Sequence, residues 1–331
     1  MKKRIALIYG GDSSEFEVSV KSGKNIAKHI DRERFEVFEV LMKGPDWSVI
    51  CEDDETDSYF IDKSDFSVVI PGKRWHPETR LNFDLALIMI HGSPGENGLL
   101  QAYFEMIGMK FTSCPATVSA VTFNKYACKC FLRDTGVKLA REIFLRRGDS
   151  FNTYEISMQL GLPLFVKPNN GGSSFGVTKV KKLDELNDAI EMAFREDDSI
   201  LIEEFIEGRE MTNGVYEYNG SLVRLPVTEI ISKNEFFDYE AKYLGASQEV
   251  CPAQIPDQLG ARIVDLSHRI YKYLGCKGVV RVDYIVRGEE IYFLEINTVP
   301  GMTEMSLVPQ QVRTAGMTIK EFVTQLLEEA L

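Results

Sequence analysis

Asp283, Glu295 and Asn297 are oxygen donors of the kind that hold a divalent cation, and Arg281 stands two positions before the first of them. In Val280-Arg-Val-Asp283 and Phe293-Leu-Glu-Ile-Asn297 the polar residues recur at every second position, so each strand turns its polar pair to one face. The opposite faces read Val280, Val282, Tyr284 and Leu294, Ile296, a surface to be buried. Mg²⁺ is commonly held by few protein groups plus substrate phosphates. The two strands therefore form a metal–phosphate platform, and the chain is expected to handle ATP. The platform requires Asp283 opposite Glu295 and Arg281 opposite Asn297. That register predicts a hairpin loop of odd length centred on Glu289, of three or five residues. A two-residue turn at Gly288-Glu289 would send the polar pairs to opposite faces.

Gly171-Gly-Ser-Ser-Phe-Gly176, between two strands, can bring backbone N–H groups close to phosphate oxygens, with Ser173 and Ser174 adding donors. A plain hairpin turn is the competing explanation. Lys167, at the end of the preceding strand, favours phosphate, and Lys125 near a helix start is a second candidate cation. No Walker-type Gly-x-x-x-x-Gly-Lys-[Ser/Thr] is present. Ile202-Glu-Glu-Phe-Ile206 ends an apolar strand with paired acids: it either offers backbone and carboxylates to adenine and ribose or runs out into solvent. At the first strand-to-helix turn, Ser14 and Glu17 fit a capping box, which leaves Glu15 available for a substrate ammonium. His91 lies in the glycine-rich loop His91–Gly98 after another strand, where a functional role is favoured.

The first third alternates between strands and helices, which predicts a mostly parallel sheet with ligands at the carboxyl ends of its strands. Between residues 47 and 72 the pattern is irregular and is read as a surface hairpin region. At 331 residues two or three domains are expected. A formal charge of −12 without a basic run argues against nucleic acid, and no apolar run is long enough to cross a bilayer. The basic and apolar N-terminus is interrupted at Gly10, so it reads as a strand, not a signal peptide. Six cysteines without paired spacing predict free thiols in the cytoplasm.

These segments, in this order, resemble the ATP-grasp superfamily, and within it the D-alanine–D-alanine ligases. The resemblance rests on Gly-Gly-x-Ser-x-Glu-x-Glu-Val-Ser at 10–19, His-Gly-x-x-Gly-Glu-x-Gly at 91–98, Val-Lys-Pro-x-x-x-Gly-Ser-Ser-x-Gly at 166–176, Tyr-Glu-Ala-Lys-Tyr at 239–243, Gly-Val-x-Arg-x-Asp at 278–283 and Glu-x-Asn-Thr-x-Pro-Gly-Met-Thr at 295–303. Departures are Asn97 for the usual acid, Ala102 for the usual glycine, and Ser-Ser-Glu-Phe for the more typical Ser-Ala-Glu-Arg.

The resemblance implies a three-domain ATP-grasp fold, α/β and α+β. A Rossmann-like parallel-sheet domain would span 1–115, a central subdomain with a glycine-rich lid 116–206, and a catalytic subdomain 207–331. It implies that Lys125, Lys167, Ser173, Ser174, Glu203, Glu204, Phe205, Ile206, Glu210 and Lys242 surround ATP. Asp283, Glu295 and Asn297 would hold two Mg²⁺, with Mn²⁺ an alternative. One D-alanine would form an acylphosphate that the amine of a second attacks. Glu15 would take the first ammonium, with His91 near its carboxylate; Arg281 and the Gly301 N–H would stabilise the oxyanion; Ser306 and Leu307 would hold the second substrate. Tyr243, Ser173 and Glu15 would link the lid to the first substrate, and Tyr243 favours D-alanine over a hydroxy acid as second substrate. Another ATP-grasp carboxylate–amine ligase, for example a D-alanine–D-lactate or D-alanine–D-serine ligase, is the alternative reading, and a homodimer is the expected assembly. A dinucleotide-binding oxidoreductase, suggested by Tyr9-Gly-Gly11, lacks Gly-x-Gly-x-x-Gly; a catalytically silent nucleotide-binding module conflicts with intact metal ligands.

Overall fold

Lys3–Gly10 is apolar on both sides from Ile5 to Tyr9, the signature of a strand covered on both faces, and all five residues are fully buried. The computed structural model describes residues 2–50, 59–72, 78–172, 175–232 and 247–331. In it this strand lies in a seven-stranded sheet ordered Thr79–Leu81, Ser67–Ile70, Phe60–Asp62, Asp46–Ile50, Phe35–Lys43, Lys3–Gly10, Leu85–Ile88. Its pairings with Phe35–Lys43 and Leu85–Ile88 are parallel. The other four strands extend the sheet antiparallel, so the sheet is mixed and not mostly parallel.

The irregular region between 47 and 72 is not a surface hairpin where it is described. Phe66, Val68 and Val69 are buried. The Phe66 ring meets those of Trp47 and Phe104 edge-on, with centroids 5.9 and 4.9 Å away. Helix Leu99–Ile107 supplies Tyr103 and Phe104 to this cluster, a partner that short strands do not announce in their own alternation.

A second sheet, antiparallel throughout, runs Thr178–Val180, Leu164–Pro168, Ser199–Glu204, Glu142–Arg146. Leu164, Val166, Ile200 and Ile202 face a core shared with helices Thr153–Leu160 and Leu186–Glu196. Alternation therefore sends Phe165, Lys167 and Glu203 to the other face.

The third sheet is ordered Ser247–Val250, Thr228–Ser232, Arg209–Tyr218, Val280–Arg287, Glu290–Asn297, Lys138–Leu139, with Ser221–Arg224 also paired to Arg209–Tyr218. Ser221–Arg224 and Thr228–Ser232 are separated around Pro226, which has no N–H to give a ladder. Helix Asp257–Leu274 covers one face through Leu259, Ile263, Ile270 and Tyr271. Helix Ile319–Ala330 returns to the first sheet, where Phe322 and Leu326 share a core with Ile5, Leu7 and Leu87.

The hairpin Val280–Arg287/Glu290–Asn297 corrects one expectation and preserves its purpose. Its turn has two residues, Gly288-Glu289, because Arg287 pairs with Glu290. A regular ladder from that turn would split the polar pairs. The register shifts between Asp283 and Tyr284, so that Tyr284 faces Phe293 while Asp283 faces Glu295 and Arg281 faces Asn297. Leu294 is the extra residue of this β-bulge. The core accordingly takes Phe293 in place of Leu294, and Leu294 lines the cleft.

Candidate active site

Between the second and third sheets lies a cleft of about 550 Å³. Its walls include Lys125, Lys167, Glu203, Glu204, Phe205, Ile206, Glu210, Asp283 and Glu295. Residues from a helix start, two strand ends and a bulged hairpin thus meet in one cavity.

On the third-sheet side Asp283 is buried and saturated with donors. Arg281 donates through Nε to Oδ1 at 2.9 Å and through Nη2 to Oδ2 at 2.7 Å. Thr212 Oγ1 donates to Oδ1 at 2.6 Å, and Asn297 Nδ2 lies 3.2 Å from Oδ2. A cation can share this carboxylate only as one of those donors turns away. The set is two carboxylates and an amide; among the described residues no group of three or more His, Cys, Asp or Glu is placed to hold a metal ion. Such an oxygen-only, incomplete set fits Mg²⁺ or Mn²⁺ completed by phosphate oxygens.

Facing it, Lys125 Nζ donates to the Gly171 carbonyl at 2.7 Å, and Lys167 Nζ pairs with Glu203 Oε2 at 2.7 Å. Asn124 caps the helix Lys125–Leu132 by accepting from Ala127 N, which fixes where Lys125 emerges. The base of the glycine-rich loop is held by Asn170, whose N and Nδ2 both donate to Asp197 Oδ2. Phe165 and Phe205, with ring centroids 5.9 Å apart, supply apolar wall, and Lys179 Nζ sits 3.9 Å from the Phe205 centroid.

The loop after Asn297 is fastened to the N-terminal sheet by four side chains. His91 Nδ1 donates to the Val299 carbonyl at 2.8 Å, while Glu96 Oε1 accepts from Val299 N at 3.2 Å. Asn25 Nδ2 donates to the Met302 carbonyl at 2.8 Å, and Ser22 Oγ accepts from Met302 N at 3.1 Å. Both peptide groups flanking Pro300-Gly301 are thereby positioned. Gly301 itself approaches Ser306, where an added Cβ would stand 3.0 Å from Oγ.

Two family models match the chain, the N-terminal domain of D-ala D-ala ligase over residues 4–114 and its C-terminal domain over residues 131–328. The chain belongs to the D-alanine–D-alanine ligase family.

It is 46% identical over 329 residues to the D-alanine–D-alanine ligase of Phocaeicola vulgatus, covering 99% of each chain. It is 48% identical over 332 residues to that of Parabacteroides distasonis, covering 100% of this chain and 98% of the other. Among solved structures it resembles the VanG D-Ala:D-Ser ligase of Enterococcus faecalis, with a TM-score of 0.88, 30% identity and full coverage of both chains. The D-alanine–D-alanine ligase of Bacillus anthracis complexed with ATP is similar at a TM-score of 0.77 and 29% identity, covering 98% of this chain and 96% of that one. As a member of this family the chain is an ATP-dependent ligase with an ATP-grasp architecture.

Several residues singled out in the sequence have partners within the protein. His91 is 4% exposed, and its Nε2 accepts from Ser22 Oγ at 2.8 Å. Both ring nitrogens thus have partners within the protein. Burial holds its pKa below the ordinary value despite the nearby Glu15 carboxylate, which keeps the ring neutral. The capping box of Ser14 and Glu17 is absent. Helix Phe16–Ala27 starts after Glu15 with no side-chain cap, and Ser13 Oγ accepts from Glu15 N while donating to the His91 carbonyl. Ser14 lines the cleft instead. Gly172 comes so near Glu15 that an added Cβ would fall 2.7 Å from Oε2. Glu204 is held by Arg141, whose N and Nε donate to it at 2.8 and 2.7 Å. Ser306 Oγ accepts from Thr303 N at 3.0 Å, and the residue stands at the start of helix Leu307–Thr314 without a side-chain cap. Ser173, Ser174, Lys242 and Tyr243 lie outside the described residues.

Sequence reasoning passed over Glu96 and Lys129. Glu96 accepts from Gly92 N at 2.7 Å as well as from Val299 N, and burial together with the charge of Glu15 pushes its pKa up to about 8. Lys129 is 2% exposed and pairs with Glu142 and Glu203. Its signal was present: it follows Lys125 by one helical turn, between two cysteines of which Cys128 is buried.

Proposed function

We propose that the chain joins two D-alanine molecules to D-alanyl-D-alanine, forming ADP and phosphate, as a step in cytoplasmic assembly of peptidoglycan precursors. The observation that carries this reading is one cavity walled by Lys125 and Lys167 on one side and by Asp283 and Glu295 on the other. Relatives at 46% and 48% identity that carry the same name support it.

In this reading Lys125 and Lys167 bind ATP phosphates, with Ser173, Ser174 and Lys242 joining them, and adenine lies against Phe205 and Ile206 with Glu203 and Glu204 behind. Glu210 meets the ribose. Asp283, Glu295 and Asn297 would hold two Mg²⁺ or Mn²⁺, which when bound neutralise phosphate charge. Glu15 receives the ammonium of the first D-alanine, with Ser173 and Tyr243 as its proposed partners in linking lid to substrate.

The first carboxylate attacks the γ-phosphorus, so that a C–O–P bond forms as the bond to ADP breaks. The amine of the second D-alanine, held near Ser306 and Leu307, then attacks the acyl carbon. Arg281 and the Gly301 N–H stabilise the oxyanion, phosphate leaves, and the ammonium proton passes to solvent. One such oxyanion donor is typically worth about 3–4 kcal/mol. His91 serves by positioning the loop that carries Gly301. Closure of the glycine-rich loop keeps water from the acylphosphate. Units 1–115, 116–206 and 207–331 supply first-substrate site, lid and platform respectively, and the protein acts as a homodimer. Among the described residues no helix is long and apolar enough to cross a membrane.

The likeness to a D-Ala:D-Ser ligase keeps one second reading in view, in which D-serine is the preferred second substrate. ADP release from MgATP is measured with D-alanine, L-alanine, D-lactate, or D-alanine plus D-serine, and products are weighed by mass spectrometry. D-alanine-dependent release with D-alanyl-D-alanine as product is expected. A mixed dipeptide as the main product would favour the second reading, and no D-alanine-dependent release would overturn both.

A further inference from the structure

Behind the proposed phosphate site lies a buried charge network whose inner members, Lys129 and Glu142, have no role in the proposed reaction. Lys129 Nζ pairs with Glu142 Oε2 at 2.7 Å and with Glu203 Oε1. Glu203 pairs through its other oxygen with Lys167 at 2.7 Å. Glu142 has a second partner, Arg133 Nη2 at 2.9 Å. Lys129, Lys167 and Glu203 are 2%, 7% and 4% exposed, so these charges are largely desolvated.

We propose that Lys129 is a positioning residue for ATP binding: a fixed counter-ion that keeps Glu203 paired when Lys167 turns to the phosphates. This rests on the reading of Lys167 as a phosphate ligand. Lys125 and Lys129 lie one turn apart on the same short helix, so one lysine faces the cleft and the next stands behind it. Removing one partner of a buried ion pair strands the other, which is far more unfavourable than never having the pair. With Lys129 present, Glu203 retains an ammonium while Lys167 leaves. Without it, Lys167 is the remaining ion-pair partner of Glu203 among the described residues, and ATP must pull it from a stranded carboxylate. The direction of Glu203's pKa agrees. Burial alone would raise it, yet the ammonium groups of Lys129 and Lys167 bring it down to about 2.

The test is the ATP dissociation constant of the full-length protein, measured by calorimetry with Mg²⁺ and without D-alanine. Lys129→Met is expected to weaken ATP binding at least roughly tenfold while leaving the KM for D-alanine within about twofold, and Lys129→Arg to stay within about threefold of the parent. Lys129→Met/Glu203→Gln removes the stranded charge and is expected to return affinity to that of Glu203→Gln alone. Glu142→Gln leaves Lys129 wholly to Glu203, releases Lys167 and tightens ATP binding by about two- to threefold. Unchanged ATP affinity in Lys129→Met, or a double variant as weak as Lys129→Met, overturns the proposal. Should Lys129→Met not fold, Glu142→Gln decides, and equal or weaker affinity there overturns it. Lys167→Met separates the two levels. Parental affinity in that variant overturns the phosphate role and this inference with it; weakened affinity there beside a normal Lys129→Met overturns the inference alone.

Discussion

His91 donates from Nδ1 to the carbonyl of Val299 at 2.8 Å, across 208 residues of sequence. Glu96, five positions after His91, takes the N–H of the same Val299, and Ser22 and Asn25 do for Met302 what these two do for Val299. A loop of the third sheet is thus aligned by side chains of the first. The proposed oxyanion donor, the Gly301 N–H, lies within that span.

Replacing His91 with Phe fills the same space but removes the bond to Val299 and leaves Ser22 Oγ without its ring partner. Unsatisfied buried polar groups cost about 1–3 kcal/mol each, so a loss of that size in urea denaturation is expected. Misplacement of the loop should lower kcat by roughly 10–100-fold while the KM for ATP stays within about twofold. A rise in the ATP KM with unchanged kcat would count against the positioning role.

The raised pKa of Glu96 makes a stability prediction with the less usual sign. The unfolded carboxyl loses its proton near its ordinary value of 4.5, whereas the folded one keeps it to about 8. Between those values the folded state binds more protons, so this group's contribution is full below about 4.5 and is lost as pH rises towards 8. The slope is at most about 1.4 kcal/mol per pH unit. Glu96→Gln cannot titrate. Parent-minus-variant stability, from denaturation at several pH values, should therefore fall across that window, and parallel curves would remove Glu96 as the source.

Glu295→Gln keeps the side chain's shape but removes one of two carboxylates facing the proposed phosphate site. Turnover should fall roughly 100-fold or more while the melting temperature moves little. Near-parental turnover by the folded variant would reject the metal role.

Gly23 inverts a general rule. Alanine for glycine inside a helix usually gains about 1 kcal/mol. Here an added Cβ would lie 2.2 Å from Tyr9 Cδ1, and Tyr9 is fully buried with its hydroxyl on Glu39 at 2.7 Å. Gly23→Ala is expected to lose about 1–3 kcal/mol by forcing apart the helix and the first strand. A higher melting temperature would show that the ring can move aside.

Local pattern carried much of this protein. Alternation along 280–283 and 295–297 was enough to state which side chains share a face. The glycine-rich segment, Lys125 and Lys167 could be put forward as candidate phosphate ligands for the same reason: residue type and spacing are local properties. Tertiary structure alone decided how the hairpin reached its register, since a two-residue turn gives the wrong parity and only a bulge at Leu294, set by core and cleft together, restores it. It also decided the partners of His91, Glu96 and Lys129. Those partners lie up to 208 residues away, and a buried hydrogen bond or ion pair leaves no period in the chain for a reader to find.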